Sequence, residues 1–432
     1  MRRLKFVWLA VAVAGLALGL AACGGDDDDD GGPGEAQLEM TIGDSVPLSG
    51  DLADFGPPGE KAADVAIDQI NEAIREAGVD HNVEIVHEDN CGGADQQCAV
   101  QAARKMVESD NASCITGAWA SADTLPTSES VAIPEEVLLI SPASTSDEIT
   151  GLEDDGLVNR TAPPDSFQGP TLSRFLVEKA LGGAEGNTIN VGARNDAYGT
   201  GLGDTFSAAW EDAGGTVGER IDYDIKLPNY DSEAEDLLSG NPDGLVIVDF
   251  PETYNKVGPA LVRAGFDPKT TFVTDGLISG DLAEGAGEDA VNGLRGTAPG
   301  VPDDDPSEAT FDELYADAEP RNVDRMTFDA QNFDAVILCY LAAVAAGSTE
   351  GADMAEEVRD ISGPPGDEYT FEQLPDAVEA LQNGDDIDYQ GASGPVDMDE
   401  AGDATAGVYD IYEFTGGAPE PVDEIEVTPP EE

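Results

Sequence analysis

The sequence predicts an α/β protein with two doubly wound lobes, each built on a parallel sheet. Short apolar runs alternate with helical patterns from residue 38 to beyond residue 270. This alternation is typical of parallel sheets that are covered by helices on both faces. The chain has 432 residues and eight or more such strands, which is long for one open sheet, so two lobes are expected.

The elements follow one another in a regular order. A strand, MTIGDSV, precedes a helix predicted over 59–78, where Ala63, Ile67 and Ile70 share one apolar stripe. The strands NVEIVHE, SCITGAW and VLLIS follow, and a helix is expected to begin near Ser121. The later part of the chain returns to helices, so the two lobes are expected to exchange chain more than once. These helices are predicted at 308–318, 329–346, 352–360 and 371–383.

The two ends of the chain are predicted to lie outside the folded lobes. Residues 1–22 combine a basic start, an apolar stretch and the sequence LAAC, which resembles a lipoprotein signal peptide with lipidation at Cys23. Residues 23–37 are expected to form an acidic tether, in which Asp26–Asp30 repel one another rather than bind a metal. Residues 416–432 are predicted to be a disordered acidic tail.

Charge excludes some partners. The formal net charge is −70, from 90 acidic and 20 basic residues. Such a protein repels nucleic acid and anionic lipid headgroups, and it repels itself at low ionic strength. Hydrophobic residues still make up 40% of the chain, which suffices for a packed core.

The sequence gives no indication of a metal, a cofactor or a catalytic centre. It contains two histidines and no CxxC motif, so zinc is not expected. No GxSxG motif occurs, and GTGLGD over 199–204 lacks the acidic partner of a dinucleotide loop. Cys91 and Cys98 are close enough in sequence to bridge, and both the bonded and the free state stay open. Cys114 and Cys339 lie in apolar stretches and are predicted to be buried thiols.

The loops that follow the strands indicate a small polar ligand. In doubly wound folds, ligands bind beyond the carboxyl ends of the strands. The loops there are rich in Ser, Thr, Gly, Asp and aromatic residues. They contain no Lys, and their only Arg is Arg194. A phosphate-rich ligand is therefore disfavoured, and a small zwitterion or a neutral polar solute fits better.

Several motifs, in this order along the chain, resemble the solute-binding proteins of branched-chain amino acid ABC transporters. They are IGDSVPLSGDLADFGPPGEKAADVAIDQIN, EDNCGGADQQCAVQAARKMV, ITGAWASADTLP, LLISPASTSDEIT, RTAPPDSFQGP, NDAYGTGL and GPVDMDEAGD. The resemblance implies a bilobed clamshell with the periplasmic binding protein type I fold and three hinge crossings. It assigns 38–162 and 300–392 to lobe 1, and 163–299 and 393–415 to lobe 2.

The resemblance also implies a set of ligand-binding residues. In that family, hydroxyl and backbone groups hold the ligand α-carboxylate, at positions that fall here on Ser121, Ala143 and Thr145. The acidic partner of the ligand ammonium falls on Asp275, where the family often has the longer Glu. The ligand would then sit deeper, or a water would bridge.

The aromatic positions of the family fall on Tyr198, Phe55 and Phe250. Tyr often stands at the last two positions, so the pocket is expected to be more apolar here. Core packing remains the alternative for Phe250, and a plain helix cap the alternative for Ser121. Arg194 has two alternatives, namely an ion pair across the cleft or a contact with a second ligand carboxylate.

The function implied is a monomeric, lipid-anchored solute-binding protein on the outer face of the cytoplasmic membrane or in the periplasm. It would capture an amino acid-like solute and pass it to an ABC transporter permease. Amides, urea or aromatic acids are the alternative ligands within the same fold. A ligand-sensing receptor is the alternative role, and an enzyme is not expected.

Overall fold

The computed structural model of the chain describes residues 37–302 and 305–427. The predicted signal peptide, the predicted lipidation site at Cys23 and nearly all of the predicted acidic tether lie outside these described residues. The rest of the chain forms two large sheets, one smaller sheet and the helices that cover them.

The first large sheet contains five parallel strands in the order β2-β1-β3-β4-β5. A helix follows each of the first four strands and returns the chain to the next one, which is the arrangement that the alternating sequence predicts. The elements are β1 (Leu38–Val46), α1 (Gly56–Ala77), β2 (His81–Asp89), α2 (Gln96–Glu108), β3 (Cys114–Thr116), α3 (Ser121–Thr127), β4 (Leu138–Ser141), α4 (Asp147–Thr150) and β5 (Val158–Arg160).

The second large sheet begins with five further parallel strands. Apolar residues fill the central strands, and all five residues of Gly244–Val248 are buried. The elements are α5 (Asp165–Phe175), β6 (Thr188–Arg194), α6 (Ala197–Asp212), β7 (Thr216–Tyr223), α7 (Asp231–Leu237), β8 (Gly244–Val248), α8 (Pro251–Ala264), β9 (Thr271–Val273), α9 (Leu282–Ala286), α10 (Glu288–Val291) and β10 (Arg295–Gly300).

The chain then returns to the first sheet with four helices and a small three-stranded sheet. Helix α12 packs against α1 and against β3 and β4, and it is buried from Asp329 to Val344. Within the described residues, no single helix is long and apolar enough to span a membrane, although α12 and α13, bent by 97°, meet that criterion as a pair. The elements are α11 (Pro306–Asp317), α12 (Asp329–Ala346), α13 (Gly351–Glu357), β11 (Asp367–Thr370), α14 (Leu374–Asn383), β12 (Ile387–Gly391) and β13 (Gly394–Pro395).

Two disulfides cross-link elements of the first lobe. Cys91, in the loop after β2, is bonded to Cys98, in the first turn of α2; the sequence left the state of this pair open. Cys114 on β3 and Cys339 on α12 are also bonded, across 225 residues of chain. The prediction of free thiols at Cys114 and Cys339 is therefore wrong. They are buried as expected, but α12 packs on β3 and brings them together.

The last two strands, β14 (Gly407–Thr415) and β15 (Ala418–Val427), complete the second sheet. Its order is β15-β14-β10-β9-β8-β6-β7, with β14 antiparallel to β10 and to β15. The prediction of a disordered tail from residue 416 is wrong for β15, because its backbone pairs along β14 and Ile425 is buried. Residues 428–432 lie outside the described residues.

The chain passes between the two large sheets three times, as expected for the predicted clamshell. The crossings lie between Arg160 and Asp165, between Gly300 and Pro306, and between Pro395 and Gly407. The third crossing follows β13, which pairs with β12 on the first-lobe side, so it lies later than the predicted boundary at residue 393.

Candidate ligand-binding site

A small cavity of about 10 Å³, roughly the space of one water molecule, lies between loops from the two large sheets. Most of its walls come from loops that follow β1, β3 and β4 in the first sheet and β6, β8 and β9 in the second. This is the edge at which ligands bind in doubly wound folds. The lining residues are Leu52, Phe55, Trp119, Ser121, Ala143, Tyr198, Phe250, Asp275, Gly276 and Phe328.

Six of the seven residues predicted to bind ligand line this one cavity. They come from six different loops, which only the folded chain brings together. Thr145, the seventh, is fully buried but does not line the cavity. Arg194 does not line it either. The six are Phe55, Ser121, Ala143, Tyr198, Phe250 and Asp275.

Ser121 joins the two donor loops of the first lobe. It is the first residue of α3, and the preceding Ala120 occupies the cap position, so Ser121 is not a plain helix cap. Its Oγ accepts hydrogen bonds from the backbone N–H groups of Thr145 and Ser146, each at 3.2 Å. Because both bonds use the oxygen as acceptor, the hydroxyl hydrogen of Ser121 remains a donor for a ligand in the cavity.

Other hydroxyls of the same stretch are used within the protein. Ser141 Oγ donates to the carbonyl oxygen of Ala118 at 2.6 Å. Ser144 Oγ lies 3.1 Å from the carbonyl oxygen of Trp119, to which it donates. These bonds fix the loops on which Ser121 and Ala143 are carried, so the serine-rich sequence mainly builds the wall rather than lining it.

Among the described residues, Asp275 carries the only carboxyl group that lines the cavity. It begins a short turn directly after β9 and is 2% exposed. Tyr198 Oη donates to its Oδ1 at 2.9 Å, and the N–H of Gly276 donates to Tyr198 Oη at 3.2 Å. Burial raises the pKa of Asp275 to about 6, against these hydrogen bonds, which favour the ionised form. A positive group placed in the cavity would relieve that cost.

Aromatic rings form most of the remaining wall. Tyr198 and Phe250 stack with their centroids 4.9 Å apart and their planes 13° from parallel. Trp119 and Phe328 also line the cavity, although the sequence did not single them out. Trp119 lies in the predicted donor loop GAWASAD. Its indole Nε1 is buried and has no hydrogen-bond partner among the described residues.

Asp165 carries a second buried carboxyl group beside the site, and the sequence analysis did not single it out. It begins α5, and its N–H donates to the carbonyl oxygen of Thr145 at 2.7 Å. Neither carboxyl oxygen has a hydrogen-bond partner within 37–302 and 305–427. Burial, together with the nearby charges of Asp275 and Asp147, raises its pKa well above the usual range. In the sequence it reads only as an acidic residue in the first turn of a helix.

Two sheet-based lobes, joined by three crossings and facing each other across a small cavity, define a bilobed solute-binding protein. The profile of a family described as periplasmic binding protein matches residues 39–418. The chain belongs to this family, and its fold is the type I fold found in branched-chain amino acid-binding proteins.

Relatives of known description agree with this assignment. The chain is 25% identical over 381 residues, 87% of each protein, to a chemotactic signal transduction substrate-binding protein, BasB, of Halobacterium salinarum. It is 27% identical over 318 residues to a leucine-, isoleucine-, valine-, threonine- and alanine-binding protein of Pseudomonas aeruginosa. That match covers 72% of this chain and 80% of the relative.

Solved structures share the fold. The leucine-binding protein LivK of Thermotoga maritima superposes with a TM-score of 0.71 at 23% identity, covering 90% of this chain and 98% of LivK. A Rhodopseudomonas palustris solute-binding protein in complex with 4-hydroxybenzoate superposes with the same TM-score at 15% identity, with the same coverage of each chain.

Proposed function

We propose that this chain captures a small α-amino acid between its two lobes and delivers it to an ABC transporter permease. The observation that carries the proposal is the lining of the cavity, which has the buried carboxyl group of Asp275 on one wall and the hydroxyl of Ser121 on another. A zwitterion needs an anion for its ammonium and hydrogen-bond donors for its carboxylate, and it needs both at once.

Each predicted residue has a role in this proposal. The ligand carboxylate accepts from the hydroxyl of Ser121 and from the backbone at Ala143, while Thr145 supports the loop from outside the cavity. The ligand ammonium pairs with Asp275.

The apolar walls would take the ligand side chain. Tyr198 and Phe250 form one stacked wall, and Phe55 lies buried in another. Phe55 and Phe250 bring no hydroxyl, so an aliphatic or aromatic side chain is favoured over a polar one.

Aromatic acids are the second candidate, supported by the rings around the cavity and by the 4-hydroxybenzoate complex of a structural neighbour. They lack an ammonium, so the charge of Asp275 would stay uncompensated at neutral pH. Burying an unpaired charge is costly, which favours an amino acid. Amides and urea leave Asp275 uncompensated for the same reason.

Titration calorimetry at high salt tests this choice of ligand. L-Leucine is compared with 4-methylpentanoate, which lacks the ammonium, and with 4-hydroxybenzoate. We expect binding of L-leucine or another α-amino acid and at least about 100-fold weaker binding of both acids, as expected for loss of a buried charge pair. Equal or tighter binding of 4-hydroxybenzoate would overturn the amino acid assignment.

The proposal also includes the location and the partner. A diacylglycerol on Cys23 would hold the chain at the outer face of the cytoplasmic membrane, with the acidic segment 23–37 as a tether. A purely sensory role, which the chemotactic relative represents, is the alternative to passing the solute to a permease. Catalysis is not part of the proposal. Mass spectrometry of the membrane-bound protein tests the anchor, because the mature chain should begin at a lipidated Cys23.

A further inference from the structure

Two polar contacts cross the cleft from one first-lobe loop, residues 47–55, which we call the cleft loop. Asp51 Oδ2 accepts from Arg194 Nη2 at 3.0 Å. Asp54 Oδ2 accepts from Ser279 Oγ at 2.8 Å. Arg194 ends β6 and Ser279 follows β9, so both donors belong to the second lobe. The cleft loop is therefore held at two points by the opposite lobe.

The cleft loop also forms part of the cavity wall. Leu52, which lies between the two acidic residues, lines the cavity, and so does Phe55 at the end of the loop. Leu52 and Phe55 are 5% and 1% exposed. Contacts that hold the loop against the second lobe therefore also hold these two apolar side chains over the site.

Arg194 keeps partners on its own lobe. Its Nε donates to Asp196, and its Nη1 lies 3.9 Å from Asp249 Oδ1. The guanidinium carbon lies 3.8 Å from the ring centroid of Phe250, on which Tyr198 also stacks. If the lobes separate, Arg194 loses Asp51 but retains these partners. The ion pair across the cleft can therefore open without stranding a buried cation.

Hydrogen bonds hold the first-lobe side of the contact between Asp51 and Arg194 in place. The N–H of Asp51 donates to the carbonyl oxygen of Gly92 at 3.1 Å, and Gly92 lies inside the loop closed by Cys91 and Cys98. The N–H of the neighbouring Gly93 donates to Asp123 Oδ2 at 2.6 Å. The backbone of Asp51 is thus hydrogen-bonded to a loop that a disulfide closes.

We propose that the cleft loop is a latch that sets how fast bound solute leaves. Arg194 with Asp51, and Ser279 with Asp54, act as positioning residues, since none of the four lines the cavity. Both contacts form only when the lobes meet, so they add to the stability of the closed arrangement and not to that of an open one. The consequence for solute release rests on the proposed binding function.

The test uses Asp51→Asn, which removes the charge of the ion pair, and Asp54→Ala, which removes the acceptor for Ser279 Oγ, both in the full chain. Asp196→Asn is the matched control, because it removes a partner of Arg194 that lies on the same lobe. Hydrogen exchange of the cleft loop is measured without added solute, and dissociation of L-leucine is measured by stopped-flow fluorescence. We expect each test variant to speed cleft-loop exchange and L-leucine release by about tenfold or more, with an association rate within about threefold of the parent.

The control separates a latch from a general loss of structure. Asp196→Asn should change both rates by less than about threefold, because Asp196 and Arg194 lie on the same lobe and their pair is the same whether the lobes are together or apart. Unchanged cleft-loop exchange in Asp51→Asn and Asp54→Ala would overturn the latch. If L-leucine and other amino acids fail to bind the parent protein, the amino acid assignment fails, and the exchange measurement alone decides whether the latch exists.

Discussion

Replacing Asp275 by Asn removes the charge proposed to bind the ligand ammonium and little else. Asn has nearly the same shape, and its carbonyl oxygen can still accept from Tyr198 Oη, which now donates to Asp275 Oδ1 at 2.9 Å. The wall of the cavity should therefore remain in place. Any loss of binding then reports the charge rather than the packing.

The size of the loss follows from burial. Asp275 is 2% exposed, so the pair with an ammonium would be almost free of solvent screening. Removing one partner of such a pair typically costs about 2–4 kcal/mol of binding free energy. At about 1.4 kcal/mol per factor of ten, the Kd for an amino acid should rise about 30-fold to 700-fold.

The same substitution should stabilise the unliganded protein. Burial raises the pKa of Asp275 from 3.8 to about 6, so ionisation at neutral pH opposes folding. A shift of about two pKa units corresponds to roughly 3 kcal/mol, which is an upper limit for the gain. Asp275→Asn should therefore bind more weakly and melt at a higher temperature at pH 7, a combination that misfolding cannot produce.

Titration calorimetry and a thermal melt measure the two effects on one preparation. Trp119 lines the cavity, so its fluorescence gives an independent binding signal, and Trp119→Phe is the control for that signal. An affinity of Asp275→Asn within twofold of the parent value would refute the assignment of Asp275 as the ammonium partner.

Three further predictions concern pH and the disulfides. Amino acid binding should weaken as pH falls through about 6, by up to about tenfold per pH unit, because Asp275 becomes protonated; calorimetry in matched buffers measures this, and Asp275→Asn should flatten the profile. Burial opposes the charge of His87, but hydrogen bonds with Asp44 and Asp64 raise its pKa to about 10. The stabilising effect of the charged His87 should be complete below pH 6.5 and should disappear as pH rises through 10. In thermal melts, His87→Gln should therefore have a lower melting temperature than the parent at pH 6, and the difference should narrow by pH 10. A difference that stays constant with pH would contradict this. Replacing Cys114 and Cys339 together by Ala should lower the free energy of unfolding by about 2–5 kcal/mol in a denaturant titration, because the disulfide links residues 225 positions apart. An unchanged denaturation midpoint would contradict a stabilising role for this disulfide.

Much of the fold could be predicted because local patterns repeat along the chain. The helix predicted over 329–346 has those bounds, since its long apolar run is buried almost throughout and Gly347 ends it in the left-handed conformation. The strands before the ligand loops could be predicted from their short apolar runs in the same way. Strand β15 could not be predicted, because its acidic residues and two prolines suggest disorder and only its pairing with β14 orders it.

The parts of the site that were missed depend on contacts distant in sequence. Phe328 reaches the cavity from the segment before α12, far from the loops that follow the strands. Asp165 reads as an ordinary helix start, and only the fold buries its carboxyl group without a partner. Asp51 is one of 90 acidic residues, so the sequence alone could not select it as the partner of Arg194.

The identity of the solute carried by the protein tests the central claim most directly. The chain and its Asp275→Asn variant are purified gently at high salt, and the small molecules released on denaturation are quantified by mass spectrometry. We expect one α-amino acid, or a few with similar side chains, at close to one molecule per parent chain and far less from the variant. An aromatic acid, an amide or urea at that stoichiometry, retained equally by Asp275→Asn, would contradict the account.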